Sequence, residues 1–293
     1  MIALFGSNGY LGRQLAFYLA QLGETIDAFD LPDFDVANDE AWRRFAPRRY
    51  SAIYFFAGLT GTERGFAEAA KYLFVNELGL LNLLKSLAPL GEEAPKVIFP
   101  STRLVYRGSP DPLKEDAPKA PKTIYAVNKL ACEHYLEAYA NRVGLPYAVA
   151  RICVPYGNLV EADYAYGTIG FFMKQLKAGL PITLFGGGKV RRTFTHVADI
   201  CRSVTFLAKT TTPSGIYNIG GEALSLEDVA RLFIQQFGRG SIKSIPWPPD
   251  AERLESGDTV FASTKLDALW GEGYQNLSND TSCLCRQIIQ ATM

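Results

Sequence analysis

Ile2-Ala3-Leu4-Phe5-Gly6-Ser7-Asn8-Gly9-Tyr10-Leu11-Gly12 is the stretch that decides the fold. Its first four residues are apolar and read as a buried strand. A glycine-rich turn follows at once, and the pattern then predicts a helix over 9–22. Glycines at such a turn let the chain bend sharply. They also let a pyrophosphate approach backbone amides at the helix N-terminus. GxxGxxG alone is a weak signal, because glycine turns are common. Its place inside the first strand–helix unit strengthens it.

The alternation continues outward from this turn. Strands are predicted over 25–29, 52–56, 96–99 and 147–152. A short helix falls near 40–45. A longer helical pattern covers 66–87, with Leu73, Leu80, Leu81 and Leu84 on one stripe. A helix over 123–143 ends at Gly144 ahead of Pro146. Alternating strands and helices imply an α/β fold, a Rossmann-type doubly wound parallel sheet covered on both faces. The pattern loosens after about residue 155. Helices are expected over 168–178, 198–208, 226–237 and 278–291, and short strands over 182–185 and 216–219. The expected division is a Rossmann domain over 1–155, with a return of chain around 195–220. Residues 156–293 would form a smaller mixed C-terminal substrate-binding region.

Composition narrows the function. The 293 residues carry 30 Lys+Arg against 30 Asp+Glu, a formal net charge of +0. That balance excludes a broad surface for nucleic acid or an anionic membrane. The two histidines, His134 and His196, cannot build a His-rich metal site, and no metal is expected. His196 is read as structural and His134 as packing or surface. The five cysteines pair poorly and read as reduced thiols. No charged leader or run of 18 apolar residues is seen, so a soluble cytoplasmic protein is expected.

The glycine turn nominates Gly6, Asn8, Gly9, Tyr10, Leu11 and Gly12 as cofactor contacts. Asp30 ends the second strand. A carboxylate there can accept from both adenosine-ribose hydroxyls and would repel a 2′-phosphate, so NAD is favoured over NADP. Asp35 and Val36 follow at a distance suited to the adenine edge. Phe56, Ala57 and Gly58 close the third strand where a cofactor could lie against backbone.

Tyr125-Ala126-Val127-Asn128-Lys129 spells YxxxK on a predicted helix. Positions i and i+4 share a face, so an ammonium sits beside a phenol. A nearby cation favours the phenolate and fits tyrosine for proton transfer near neutral pH. Thr102 follows the fourth strand, where parallel sheets bind ligands, and its hydroxyl could hold the same substrate oxygen.

With these residues in place, the sequence resembles the NAD-dependent epimerase/dehydratase family, extended short-chain dehydrogenase/reductases that act on nucleotide sugars. Ile53 to Leu59 resembles the family's third-strand motif. Asn76 matches the asparagine of the following helix, and Arg151 to Gly157 the segment after the fifth strand. Phe185 to Gly188, Arg192 to Asp199 and Ile216 to Gly220 match its C-terminal stretches. The resemblance implies that Tyr125 takes the proton of a sugar hydroxyl, usually at C4, while a hydride passes to NAD. Thr102 would steady the oxygen. Lys129 would lower the tyrosine pKa and hold the nicotinamide ribose, and Asn76 would touch the cofactor. It further implies that Arg192 pairs with the diphosphate of a nucleoside-diphosphate sugar and that Phe185 contacts its base. Thr102, Arg103, Val154 and Thr168 fall at substrate-contact positions.

Departures sharpen the subclass. The family's 4,6-dehydratases carry Asp-Glu just after the threonine, where this chain has Arg103 and Leu104. The GDP-fucose synthase type uses a cysteine at the position of Leu104. The 4-epimerases often have asparagines near Val154 and Thr168. The leading expectation is a nucleotide-sugar epimerase acting at C4. A 4-ketoreductase of a 4-keto-6-deoxy nucleotide sugar and a non-catalytic dinucleotide-binding regulator stay open. The helices over 66–87 and 123–143 resemble the pair that builds family homodimers, which brings Leu83 and Leu136 into question.

Overall fold

The computed structural model describes residues 1–160, 166–279 and 281. Residues 280 and 282–291 of the predicted C-terminal helix, with Cys283 and Cys285, lie outside the described residues. Along the chain, the first elements are β1 (Ile2–Phe5), α1 (Tyr10–Gln21), β2 (Ile26–Phe29), α2 (Asp39–Trp42) and β3 (Ala52–Phe55). Next come α3 (Thr62–Ala67), α4 (Ala69–Tyr72), α5 (Gly79–Leu87), β4 (Lys96–Thr102), α6 (Ile124–Val143) and β5 (Tyr147–Ile152). Then follow β6 (Val154–Tyr156), α7 (Gly167–Lys177), β7 (Ile182–Phe185), β8 (Arg191–His196), α8 (Val197–Leu207) and β9 (Gly215–Asn218). The last are β10 (Glu222–Ser225), α9 (Leu226–Phe237), β11 (Ile242–Ile245), α10 (Pro249–Leu254) and α11 (Thr264–Trp270). The chain divides into two compact units.

The first unit comprises Met1–Tyr106, Lys119–Arg151 and Cys201–Tyr217. Its sheet has the order β2-β1-β3-β4-β5-β9, with β1, β2, β3 and β4 paired in parallel. β1, β3, β4 and β5 are buried along their whole length, which is why they read as near-continuous apolar runs. β2 is the edge strand and only half-buried. The chain leaves β1 for β2 on one side and returns to β3 on the other. That reversal is the point where open α/β sheets take ligands. The core beside it is aromatic: Phe5 stacks on Phe29 at 4.7 Å and on Trp42 at 5.0 Å.

The helical pattern predicted over 66–87 is interrupted. α3 ends at Ala67, and α4 runs through a π turn, Leu73–Leu78, into α5. A π turn holds one residue more than an α turn. The faces before and after it are therefore out of phase. Leu80 and Leu84 are buried, whereas Leu73 is 49% exposed and Tyr72 and Asn76 point inward instead. The stretch Ala69–Glu93 is long and apolar enough to cross a membrane by length and composition. Its Leu80, Leu83, Leu84 and Leu87 fill the sheet core instead.

The second unit comprises Arg107–Pro118, Ile152–Ile200 and Asn218–Met293. It holds a three-stranded sheet, β10-β8-β6, and a two-stranded one, β11-β7. Phe172, Met173 and Leu176 of α7 pack with Val229 and Phe233 of α9, Phe194 of β8 and Leu184 of β7. A reciprocal Ser225–Asp228 capping box starts α9. β6, β8, β10 and β11 have no counterpart among the predicted strands. Each is three to six residues long, and β8 opens on two arginines, which hides its apolar face.

The glycine turn is sterically committed. A Cβ on Gly12 would come 2.0 Å from the Gly6 carbonyl oxygen, and one on Gly6, at φ 81°, 2.4 Å from the Ala57 nitrogen. Neither neighbour is a movable side-chain tip. Gly12→Ala is expected to cost about 1–3 kcal/mol, as overpacking does. Calorimetry should show a Tm several degrees lower together with lost NAD binding. An unchanged Tm would contradict this account of the turn.

Candidate active site

α1 begins at Gly9 with no side-chain cap and no acidic residue in its first turn. An anion placed there would meet the positive end of the helix dipole and the first-turn amides. Gly9 and Asn8 are exposed, and Tyr10 and Leu11 are half-buried at the start of the helix. Asp30 is fixed beside them. Its Oδ2 accepts from the Asn8 amide at 2.7 Å and its Oδ1 from the Leu31 amide at 2.8 Å. Each carboxylate oxygen keeps a second lone pair, enough for one ribose hydroxyl each. These donors and acceptors fit NAD: amides for the pyrophosphate, a carboxylate for the adenosine ribose.

The other nominated cofactor residues have partners within the first unit. Asp35 accepts from the Ala37 amide at 2.9 Å and forms a turn. Val36 is buried in the core, and its carbonyl accepts from Trp42 Nε1 and Asn82 Nδ2. Phe56 donates its amide to Phe5 and packs edge-on against Tyr54, and Ala57 joins the same core. Asn76 grips Leu59 twice: Oδ1 accepts from its amide at 2.7 Å and Nδ2 donates to its carbonyl at 3.0 Å. The π turn thus makes Asn76 a clamp on the loop after β3. Gly58 in that loop is where a Cβ would lie 3.9 Å from Lys129 Nζ.

β4 and α6 carry the remaining three residues of the first unit's site. Thr102 ends β4 nearly buried, and its Oγ1 accepts from the Leu104 amide at 3.3 Å. That bond leaves its hydroxyl proton for another acceptor. Thr123 caps α6 by accepting from the Ala126 amide, which sets the helix start just before Tyr125. Tyr125 is half-buried. One turn on, Lys129 Nζ lies 5.9 Å from the Tyr125 ring centre and 4.3 Å over the Phe99 ring. It donates to the Pro100 carbonyl at 2.8 Å. Burial pushes the Lys129 ammonium down to about 8, while Cys132 and Glu133 oppose that fall.

Beneath these residues lies a network that sequence reasoning missed. Glu133, one turn after Lys129, accepts from Arg151 Nε at 3.0 Å and Nη2 at 2.5 Å. It also accepts from Ser101 Oγ at 2.5 Å, and Arg151 Nη1 donates to Tyr106 at 2.6 Å. The pair is buried, each side chain 1% exposed. Arginine in the middle of an apolar strand was the available signal, because such a charge must find a partner. A second chain runs from Asn128 Nδ2 to Glu77 Oε1 at 2.5 Å and from Tyr135 to Glu77 Oε2 at 2.9 Å.

In the first unit, Arg103 sits half-buried in the single turn after Thr102. The other nominated substrate residues lie in the second unit. Val154 packs against its core, and Thr168 is half-buried in the first turn of α7. Phe185 is 39% exposed and pairs with Trp247 at 5.1 Å, a partner the sequence reading did not single out. Arg192 is buried and ion-paired with Glu255. His196 accepts from the Ala198 amide at the start of α8, a structural role. His134 is exposed beside Glu137. Among the described residues, no group of three or more His, Cys, Asp or Glu side chains could hold a metal ion.

Residues 2–220 match the sequence profile of the NAD dependent epimerase/dehydratase family. The chain belongs to this family. Two curated relatives illustrate the range of the NAD dependent epimerase/dehydratases. A dTDP-D-glucose 4,6-dehydratase of Mus musculus is 30% identical over 193 residues, covering 65% of this chain and 53% of that protein. The match thus spans about half the length of that relative. A UDP-glucuronate 4-epimerase of Thermodesulfobacterium geofontis is 28% identical over 265 residues, covering 80% of each. Among solved structures, the Thermus thermophilus UDP-glucose 4-epimerase in complex with NAD superposes with a TM-score of 0.85. The two share 22% identity over 99% of both chains, a likeness of fold. NAD is the family's cofactor, and the first unit fits it.

Two outcomes test the site. The Lys129 ammonium is present below about pH 8 and lost above it. Turnover should therefore fall as pH rises through that value. Lys129→Arg, whose guanidinium stays charged, should abolish the fall even at a lower absolute rate; a pH–rate profile with an unmoved limb would contradict it. Asp30→Asn should weaken NAD roughly tenfold or more, the worth of a charge-assisted hydrogen bond, and narrow the preference over NADP. Calorimetric titration of both cofactors measures this.

Proposed function

We propose that this chain is an NAD-dependent nucleotide-sugar epimerase that oxidises and re-reduces C4 of a nucleoside-diphosphate hexose. The observation that carries the reading is the joint placement of Thr102 at the end of β4 with Tyr125 and Lys129 on one face of α6. In this reading Tyr125 takes the proton of the sugar hydroxyl and later returns it. Thr102 donates to the same oxygen while its charge grows. Lys129 holds positive charge beside the phenol and so favours its ionised form. NAD, when bound, supplies reversible hydride acceptance at the sugar carbon. An epimerase returns what it removed and needs no net reductant.

Arg103 and Leu104 support epimerisation over dehydration, because elimination needs an acid–base pair beside the threonine. The similar proteins include both 4-epimerases and 4,6-dehydratases, so the choice rests on Arg103 and Leu104. The exposed pair Phe185–Trp247 offers an aromatic surface for the base. Leu83 and Leu136 are fully buried in the first unit's own core, so neither serves a dimer contact. Phe66, Leu73, Phe74 and Val127 are each about half exposed on its helices and are the side chains a second copy would cover. The buried thiols of Cys132, Cys153 and Cys201 suit a reducing compartment, and we place the enzyme in the cytoplasm.

Incubation with UDP-, CDP-, dTDP- and GDP-hexoses, with no reductant added, should yield a C4 epimer of one of them. Tyr125→Phe should slow that reaction by about 10²–10⁴-fold, the range of a lost general acid–base. Turnover seen only with NADH and a 4-keto sugar would replace the epimerase with a ketoreductase. Turnover of nothing, with a phenotype indifferent to Tyr125→Phe, would leave a regulator.

A further inference from the structure

We propose that Glu255 is a specificity residue of the second unit, whose carboxylate takes the place at Arg192 that a substrate phosphate would need. Arg192 lies on β8 and is 2% exposed. Its Nη2 donates to Glu255 Oε1 at 2.5 Å, and its Nη1 donates to the carbonyls of Gly257 at 2.5 Å and Arg191 at 2.9 Å. The same Glu255 oxygen accepts from the Gly257 amide at 2.9 Å, which holds the carboxylate on the guanidinium. The surrounding chain is stitched in place as well. Asp258 Oδ1 accepts from the Arg191 amide at 2.8 Å, and the Thr259 amide donates to the Arg191 carbonyl at 3.0 Å.

This arrangement fits a structural tie and not an anion receptor. The guanidinium is neutralised by a carboxylate of its own chain and is shielded from solvent. An incoming phosphate would meet two costs. It would have to displace Glu255 from a buried partner, and it would approach that carboxylate with like charge. The displaced carboxylate would also release Gly257 and loosen the segment that pairs with β8. Val154 and Thr168 add no side-chain amide that could take the phosphate over. The diphosphate of a nucleotide substrate therefore contributes little at Arg192, and recognition falls on the base and the sugar. Naming the anion as a diphosphate rests on the nucleotide-sugar reading; the blocking of Arg192 does not.

The test is calorimetric titration of the full NAD-loaded protein with inorganic pyrophosphate, UDP and uridine. The wild-type protein should bind UDP within about threefold of uridine and show no pyrophosphate binding. Glu255→Gln removes the charge and keeps the shape; it should gain at least tenfold for pyrophosphate. Arg192→Lys should leave UDP affinity within twofold. If Glu255→Gln does not fold, the neutral double variant Arg192→Gln/Glu255→Gln should keep wild-type UDP affinity. No gain in Glu255→Gln, or a tenfold loss of UDP affinity in Arg192→Lys or the double variant, overturns the proposal. A gain for pyrophosphate in Glu255→Gln, with UDP bound no better than pyrophosphate, would sink the nucleotide reading and leave the role of Glu255 standing.

Discussion

Glu133 and Arg151 meet in the interior of the first unit, and the placement of the catalytic candidates depends on that contact. The carboxylate belongs to α6, the guanidinium to β5, and Ser101 of β4 joins them. Thr102 is the residue after Ser101, and Lys129 lies one helical turn before Glu133. One buried pair therefore sets the spacing between the strand that presents the threonine and the helix that presents Tyr125 and Lys129. Burying two charges is expensive, and removing one partner of such a pair typically costs about 3–5 kcal/mol. Its value here lies in geometry. The pair also fixes a negative charge near the buried Lys129 ammonium, which limits how far burial can discharge it.

A site built this way explains why a chain with two histidines is not handicapped. In the proposed mechanism, proton transfer falls to a phenol tuned by a neighbouring cation and oxidation to the cofactor. His196 instead uses its ring nitrogen to accept from the Ala198 amide at the start of α8. Net neutrality is likewise no obstacle in the proposed site, where backbone amides of α1 would meet the cofactor's pyrophosphate without a basic surface.

Much of the first unit was legible in the sequence because its signals are local. Apolar runs marked the buried strands, Gly6 to Gly12 marked the first turn, and Gly144 marked the end of α6, where it adopts φ 74°. YxxxK placed Tyr125 and Lys129 on one face because helical spacing needs no tertiary information. What stayed hidden depends on partners far along the chain. Arg192 matched a phosphate-binding position, yet its environment is set by Glu255, 63 residues later. Asn76 matched a cofactor contact, and the π turn also sets its amide against Leu59, 17 residues earlier. β6, β8, β10 and β11 were missed for a simpler reason. β6 has only three residues, and β8, β10 and β11 carry charged or polar residues that break up any apolar run.

The π turn between α4 and α5 has a bearing on chain length. Its surplus residue is what lets Tyr72 and Asn76 face inward while Leu80 and Leu84 remain on the core side. Substitutions across Leu73–Leu78 can leave that phase intact. A one-residue deletion cannot, since it would restore α-helical winding and swing either the clamp or the leucines toward water. In this segment the count of residues is therefore under tighter constraint than their identity. Sequence drift should be accommodated there far more readily than an insertion or a gap.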